Sequence, residues 1–414
     1  MKLIHLSDLH LGKSIYGVSM LENGDQDYWA DQFLEFAKRE NPDAILIAGD
    51  VYDRASPSGE AVQLLSRMLT TLSEYKIPVL MVAGNHDSVQ RLSFASPLLA
   101  KQHLYISRPM FETAELESVC LEDEYGPVTF WLMPYVYPSL IAKVLDDESL
   151  HDSDTAVRAL LAKQNIDFSQ RNVLIAHQNV TANGVEAIRG GSESMIGGVG
   201  QIDFTAFDGF DYVALGHIHS AGYVGRETVR YAGTPLYYHF DELKQAEKGP
   251  VLVELGTKSE PVRMKLEQIP PLHPMRELRG SLEQLRSNEL AFTRTGEYLR
   301  LVLTDCRLSP EISAFFDELF SSRRSILMER CSEYTPYHMI INAATSQIVE
   351  QKSIEELFES FYAERNGGVL PDKQDSELLT FAGELSLHAD VHAEPTDNEI
   401  EKILNYLTKQ EETI

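Results

Sequence analysis

At 414 residues the chain exceeds what one hydrophobic core fills, so two or three domains are expected, and 43% apolar with 24% charged residues is the balance of a globular protein. A formal charge of −27 excludes a broad basic face as the means of holding a polyanion, leaving a local positive centre or a basic partner for that task. Cys120, Cys306 and Cys331 are odd in number, widely spaced and without a Cys-x-x-Cys pair, which argues against a disulfide framework or a zinc–thiolate site. The apolar runs 44–48 and 79–83 are too short to span a bilayer, and the first residues lack the apolar stretch of a signal peptide. No membrane contact and a cytoplasmic location are therefore expected.

In chain order, a β-branched or Leu-rich run, a polar cluster and a stretch of helical spacing recur through the first 255 or so residues, an α/β layout. The spacing predicts strands over 2–6, 44–48, 79–82, 173–176 and 212–215. A helix over 27–40 places Trp29, Phe33, Phe36 and Ala37 on one face, and a second helix is expected over 59–75. Pro270, Pro271 and Pro274 would interrupt any element, so a boundary falls there, separating a domain of residues 1–268 from one of 269–340. The second reads as a small α+β unit, a candidate cap, with helices over 281–286 and 310–320 and strands over 298–303 and 325–330. From residue 341 to 414 the chain carries 16 acidic against 5 basic residues, with amphipathic helices expected over 353–365 and 374–385 and a further one over 398–409. Such a hairpin cannot bury its apolar faces alone, so it is expected to dock on something.

Each of the five strand runs in the first domain ends in residues suited to binding a cation. The clusters are Asp8-Leu9-His10, Gly49-Asp50-Val51-Tyr52-Asp53, Gly84-Asn85-His86-Asp87, Ala176-His177 and Gly216-His217-Ile218-His219. Ligands of an open α/β sheet bind beyond the carboxyl ends of its strands, so these clusters can converge. Asp, Asn and His without cysteine suit Mn²⁺, Fe²⁺ or Zn²⁺. Asp8, His10, Asp50, Asn85, His177, His217 and His219 are too many for one ion that must also admit substrate, and they suit two ions sharing a carboxylate. Two such ions can activate a water and clamp the non-bridging oxygens of a phosphate, which is phosphoester hydrolysis.

In this order and spacing, the five motifs resemble the calcineurin-like metallophosphoesterase superfamily. Within it, Ser7-Asp8-Leu9-His10-Leu11-Gly12, Ala48-Gly49-Asp50-Val51-Tyr52-Asp53 and Tyr231-Ala232-Gly233-Thr234-Pro235 are similar to the SbcD family of nuclease subunits. The resemblance implies an α/β fold, a four-layer β-sandwich flanked by helices, with a small α+β cap and a C-terminal helical extension. It implies that Asp8, His10 and His219 hold one metal and Asn85, His177 and His217 the other, with Asp50 bridging. It further implies that His86 donates a proton to the leaving group and that the Asp53 carboxylate orients it. Two divalent ions, Mn²⁺ first among them, DNA as substrate, an SMC-like ATPase partner and a homodimer within a heterotetramer follow from the same likeness. The chain departs from the usual fourth motif, having Ala176 where many members have glycine.

Blander readings stand beside these. A stand-alone phosphodiesterase or phosphatase for a small substrate shares every ligand, and the long C-terminal extension is what argues against it. Lys13, Arg54 and Arg91 follow the motifs closely enough to touch substrate phosphates, although exposed basic residues more often solvate a face. Asp87 is read equally as a partner of the site or as a turn residue. The segment 184–200 holds six glycines but no Gly-Lys-Ser/Thr ending, and reads as a loop. His5, His103, His151, His239 and His273 are expected to be ordinary core or surface residues.

Overall fold

The computed structural model describes residues 1–110, 113–182, 184–186, 200–244, 247–287 and 295–333. The expected C-terminal hairpin and most of the glycine-rich 184–200 segment lie outside them. The strands of the two six-stranded sheets and of one three-stranded sheet are β1 (Lys2–Leu6), β2 (Ala44–Ala48), β3 (Val79–Val82), β4 (Leu104–Ile106), β5 (Glu117–Asp123), β6 (Gly126–Met133), β7 (Arg171–His177), β8 (Tyr212–Gly216), β9 (Gly222–Val224), β10 (Arg226–Tyr231), β11 (Val251–Glu254), β12 (Arg263–Leu266), β13 (Met275–Gly280), β14 (Tyr298–Leu303) and β15 (Ile326–Ser332). The helices packed on them are α1 (Asp25–Glu40), α2 (Gly59–Glu74), α3 (Pro138–Leu145), α4 (Ser153–Ala162), α5 (Leu282–Arg286) and α6 (Pro310–Ser321).

Two six-stranded sheets, ordered β12-β11-β1-β2-β3-β4 and β9-β10-β8-β7-β6-β5, form the body. Their centres are parallel, as in β1 with β2 and β7 with β8; antiparallel pairs close both edges of the second sheet and one edge of the first, whose other edge strand, β4, runs parallel to β3. Central parallel strands are covered on both faces and therefore read as continuous apolar runs. Alternation along each strand divides the core into layers. Leu3, Leu46 and Leu80 face Phe130, Ile175 and Tyr212 between the sheets. Ile4, Ile47 and Met81 face the other way, onto Trp29 and Phe33 of α1 and Leu64 and Met68 of α2. On the outer face of the second sheet, Trp131, Leu174 and Val213 meet Ile141 of α3 and Val157 and Leu160 of α4. Helices, sheet, sheet, helices is the four-layer arrangement expected.

The five motif-bearing strands are divided between the two stacked sheets: β1, β2 and β3 belong to the first, β7 and β8 to the second. A run's hydrophobicity says that it is buried on both faces, not which sheet it joins. Stacking the sheets brings both sets of carboxyl ends to the same rim, so the clusters still converge. His5, on the same face of β1 as Leu3, lies between the sheets, where its ring nitrogens meet Tyr212 Oη at 2.9 Å and the Leu215 carbonyl at 3.2 Å. Burial lowers its pKa to about 3, so it is a satisfied neutral core residue.

Residues 275–332 build a separate parallel sheet, β13-β14-β15. Leu278, Leu301 and Leu303 pack there against Phe316 and Phe320 of α6. Ser281 caps α5 through a reciprocal capping box with Gln284. This unit is tied to the body by His273 and Tyr298, which reach the two carboxylate oxygens of Asp25 at 2.9 and 2.5 Å, and by Arg300, which donates to Asp241 at 3.1 Å.

Candidate active site

The chain leaves each strand through a sharp turn, and the turn residues are themselves the candidate ligands. Asp8, His10, Asp50 and His217 have φ of 51°, 44°, 49° and 106°, a left-handed region that costs a non-glycine residue about 1–3 kcal/mol. The surrounding main chain holds them there: Asp8 N–H donates to the Gly49 carbonyl at 3.0 Å and His10 N–H to the Asp50 carbonyl at 2.9 Å. Two glycines permit the close approach. A Cβ on Gly216 would sit 1.9 Å from the Ala48 carbonyl oxygen, and one on Gly84 would sit 2.1 Å from Asp50 Oδ1. Ala176, by contrast, lies inside β7 and is not among the positive-φ residues, so the alanine there introduces no left-handed strain.

All seven candidate ligands come together. On one side His10 Nε2 and His219 Nε2 are 3.2 Å apart, and Asp8 groups with them. On the other, Asn85 Oδ1 lies 3.0 Å from His177 Nε2 and 3.1 Å from His217 Nδ1. Asp50 Oδ2 stands between the two sets, 3.8 Å from His10 Nε2 and 3.4 Å from His177 Nε2. The donor set fits cations for a simple reason. His177 Nδ1 is 2.8 Å from the Ala48 carbonyl and must donate to it, so its Nε2 is a lone pair whenever the ring is neutral. That lone pair, Asn85 Oδ1 and Asp50 Oδ2 are then three acceptors facing one another.

The titration directions agree with that fit. Burial works against charge on His177, yet Asp50 overrides it and holds the metal-free imidazole up at about 9, a proton standing where a cation would. Burial likewise opposes the Asp50 charge, but His177, His10 and His86 outweigh it and keep the carboxylate far below its ordinary value. Burial also pushes Asp8 up and His10 down, each toward its neutral form. A bound divalent cation would reverse the first effect and benefits from the second, since it needs an ionised carboxylate and a neutral imidazole.

His86 sits at the rim, its side chain 33% exposed, with Nε2 4.0 Å from Asp50 Oδ2. Its own N–H donates to Asp50 Oδ1 at 2.8 Å. The Asp53 carboxylate was expected to orient it; instead Nδ1 lies 2.9 Å from the Asp53 main-chain carbonyl. The carboxylate is drawn elsewhere, with Oδ1 2.8 Å from Lys13 Nζ and 3.7 Å from His10 Nδ1. Lys13 is thus engaged beside the site. Arg54 is 83% exposed with Nε 3.7 Å from Asp53, and Arg91 donates to the Ala55 carbonyl at 2.8 Å. Asp87 is more than a turn residue: it accepts from the main-chain N–H groups of Val51, Tyr52 and Gly84 at 3.0, 2.9 and 2.9 Å, clamping the Asp50 loop to the Asn85 loop.

Residues that no strand-end motif marks complete the support. Gln26, from the first turn of α1, donates to the His10 carbonyl at 2.8 Å, and Tyr238 Oη donates to the Leu9 carbonyl at 2.6 Å. Tyr135 places its ring 6.2 Å from those of both His177 and His217. The Tyr231–Pro235 motif also finds a role here, since Thr234 N–H donates to the His219 carbonyl at 3.0 Å.

The calcineurin-like phosphoesterase family model matches residues 1–221. A protein of Staphylococcus saprophyticus subsp. saprophyticus, named as the D subunit of nuclease SbcCD, is 34% identical over 308 residues, 73% of this chain and 78% of the relative. One of the same name from Staphylococcus epidermidis is 32% identical over 311 residues, 74% and 79% of the two chains. The chain belongs to the SbcD family of calcineurin-like phosphoesterases. Its enzyme class follows: this SbcD-family protein is a metal-dependent phosphodiesterase, a hydrolase of ester bonds. Its mixed α/β sandwich is the fold of that family. Among the described residues, no helix is long and apolar enough to cross a membrane.

Proposed function

We propose that this phosphodiesterase is a DNA nuclease subunit acting as exonuclease and endonuclease on DNA ends and hairpins. It would work with an SMC-like ATPase in double-strand-break processing, repair and recombination. The observation that carries the chemistry is the position of Asp50 Oδ2 between the His10 and His177 nitrogens, which supports two ions sharing one carboxylate. Asp8, His10 and His219 would hold the first ion and Asn85, His177 and His217 the second; Mn²⁺ suits this mixed donor set. When bound, the ions supply Lewis acidity toward the phosphate and lower the pKa of the attacking water. The chain's own part is then orientation and proton delivery. With Nδ1–H given to the Asp53 carbonyl, His86 has Nε2 left to carry a labile proton to the departing oxygen.

Residues 1–268 would then be the catalytic domain, 269–340 the cap, and 341–414 the segment that docks the ATPase. DNA as substrate and the ATPase as partner rest on the relatives' name, which makes them one component of nuclease SbcCD, and on the acidic extension. Three free thiols are in keeping with a cytoplasmic location. For the homodimer, Val62, Leu65, Leu69, Phe94 and Leu99 line an apolar groove beside α2, and Phe94 is 79% exposed. Phe94→Asp should then sediment as a monomer where the wild type does not.

The deciding experiment is a Mn²⁺-dependent assay of linear duplex DNA, hairpin DNA and small phosphodiesters side by side. Cleavage of both DNA substrates is expected. Turnover of the small diesters alone would replace this reading with that of a stand-alone phosphodiesterase.

A further inference from the structure

Among the described residues, Glu242 and Lys248 form an ion pair whose side chains are 0% and 4% exposed, 2.8 Å apart. Removing two charges from water is expensive, and a buried pair seldom adds stability over apolar residues of similar size, so its presence asks for another reason. The surroundings supply one. Lys248 Nζ donates to the His219 carbonyl and to Thr234 Oγ1, both at 2.7 Å. Glu242 Oε2 accepts from the Tyr238 N–H at 3.1 Å, which leaves Oε1 aimed at His219 Nδ1, 3.6 Å away. The pair therefore brackets one candidate ligand by its main chain and its ring together. On the far side of that ring, Nε2 faces His10 Nε2 at 3.2 Å.

Resting on the metal-centre reading above, we infer that Glu242 is a positioning residue for the first metal: it fixes the Nδ1–H form of His219 and turns Nε2 toward the ion. A ligating imidazole whose other nitrogen donates to a carboxylate is both oriented and made a stronger donor. The second metal's His177 leans on a neutral carbonyl instead, that of Ala48. The two metal positions are thereby unequal by construction. The carboxylate-backed side is the tighter, and its affinity depends on Glu242 while the other's does not.

The test is calorimetric titration of Mn²⁺ into the metal-free full chain. Wild type should show two sites, and His219→Ala identifies which constant belongs to the first. Glu242→Gln keeps the shape and a contact to Lys248 but not the charge. It should weaken that same constant by about 10–100-fold and leave the other unchanged. Glu242→Asp, which restores the carboxylate one methylene short, should recover part of the loss; if the Gln variant does not fold, Asp carries the test alone, with a smaller loss confined to the same site. Two intact constants in the variants, or an equal fall in both, would overturn the inference while leaving the metal centre standing. A wild type that takes up no Mn²⁺ would overturn the metal centre and this inference with it.

Discussion

His86 is the residue at which catalysis and metal binding should come apart. It stands at the rim, its main-chain N–H given to Asp50 Oδ1 and its Nδ1 set on the Asp53 carbonyl; its ring also lies within reach of His10 and Asp50, but each proposed ion has three other ligands and the shared Asp50 without it. His86→Ala is therefore expected to keep both Mn²⁺ ions, counted by elemental analysis, and to lower turnover by about 10²–10⁴-fold, the usual worth of a positioned proton donor. Loss of an ion with the histidine would make it a ligand and sink the assignment. Residues of this kind were legible because each follows directly on a strand, so position alone places them at the rim. Gln26, Tyr238 and Glu242 were not. They reach the site from the first turn of α1, from the loop at Tyr238 and from the 3₁₀ turn Phe240–Lys244 that follows it, and a contact between distant residues leaves no periodic mark in the sequence. Asp53 was half legible: proximity placed it beside His86, but a spacing cannot tell a carboxylate contact from a carbonyl one.

At the scale of elements, Arg171 closes the edge of the second sheet. Its guanidinium opens β7 and meets both carboxylate oxygens of Asp123 at the end of β5, at 2.9 and 2.5 Å, and also donates to the Gly126 and Gly256 carbonyls. The pairing holds the Asp123 carboxyl below its ordinary value, with Arg171 the largest cause. A carboxyl depressed on folding contributes stability that is fully present above its unfolded value, about 3.9, and is lost as the pH falls through the folded value. Arg171→Met should thus be less stable than wild type at neutral pH, and the gap in urea midpoint should narrow below about pH 4. A gap that stays constant down to about pH 2 would show that Arg171 acts through its carbonyl contacts and not through Asp123. The same residue explains a boundary. The expected strand began at 173, because Arg171 and Asn172 are polar, yet β7 starts at Arg171: tertiary partners satisfy both, Asn172 taking the Trp131 indole N–H at 2.9 Å. Similarly α1 starts at Asp25 where helical spacing suggested 27, since Asp25 is fixed by Tyr298 of β14 and by His273 just before β13. The short apolar runs of β1, β2 and β3 were plain to read; the partition of strands between two sheets was not, because burial on both faces looks the same in either.

For the whole molecule, the charge of −27 sets a problem that the fold answers only locally. Two divalent ions held as proposed would add about four positive charges in one cleft, enough to seat a phosphodiester but not to track a duplex. Arg54 and Arg91 stand exposed near the rim, whereas Lys13 is already held by Asp53. A chain so built should neutralise few phosphates on its own, and the number neutralised is what the salt dependence of binding reports, at about 0.9 per contact for duplex DNA. Measured with the His86→Ala protein, so that the duplex survives, binding by the chain alone should require Mn²⁺ and show a shallow dependence on salt, no more than about two or three contacts. Addition of the ATPase partner should steepen the slope, because its surface then supplies the missing charge. Removing residues 341–414 should abolish that steepening while leaving Mn²⁺-dependent hydrolysis of a small diester intact, since none of the seven candidate ligands lies in the segment removed. Tight, steeply salt-dependent binding by the metal-free chain alone would mean that its acidic surface hides a basic track, and the need for a partner to hold DNA would fall.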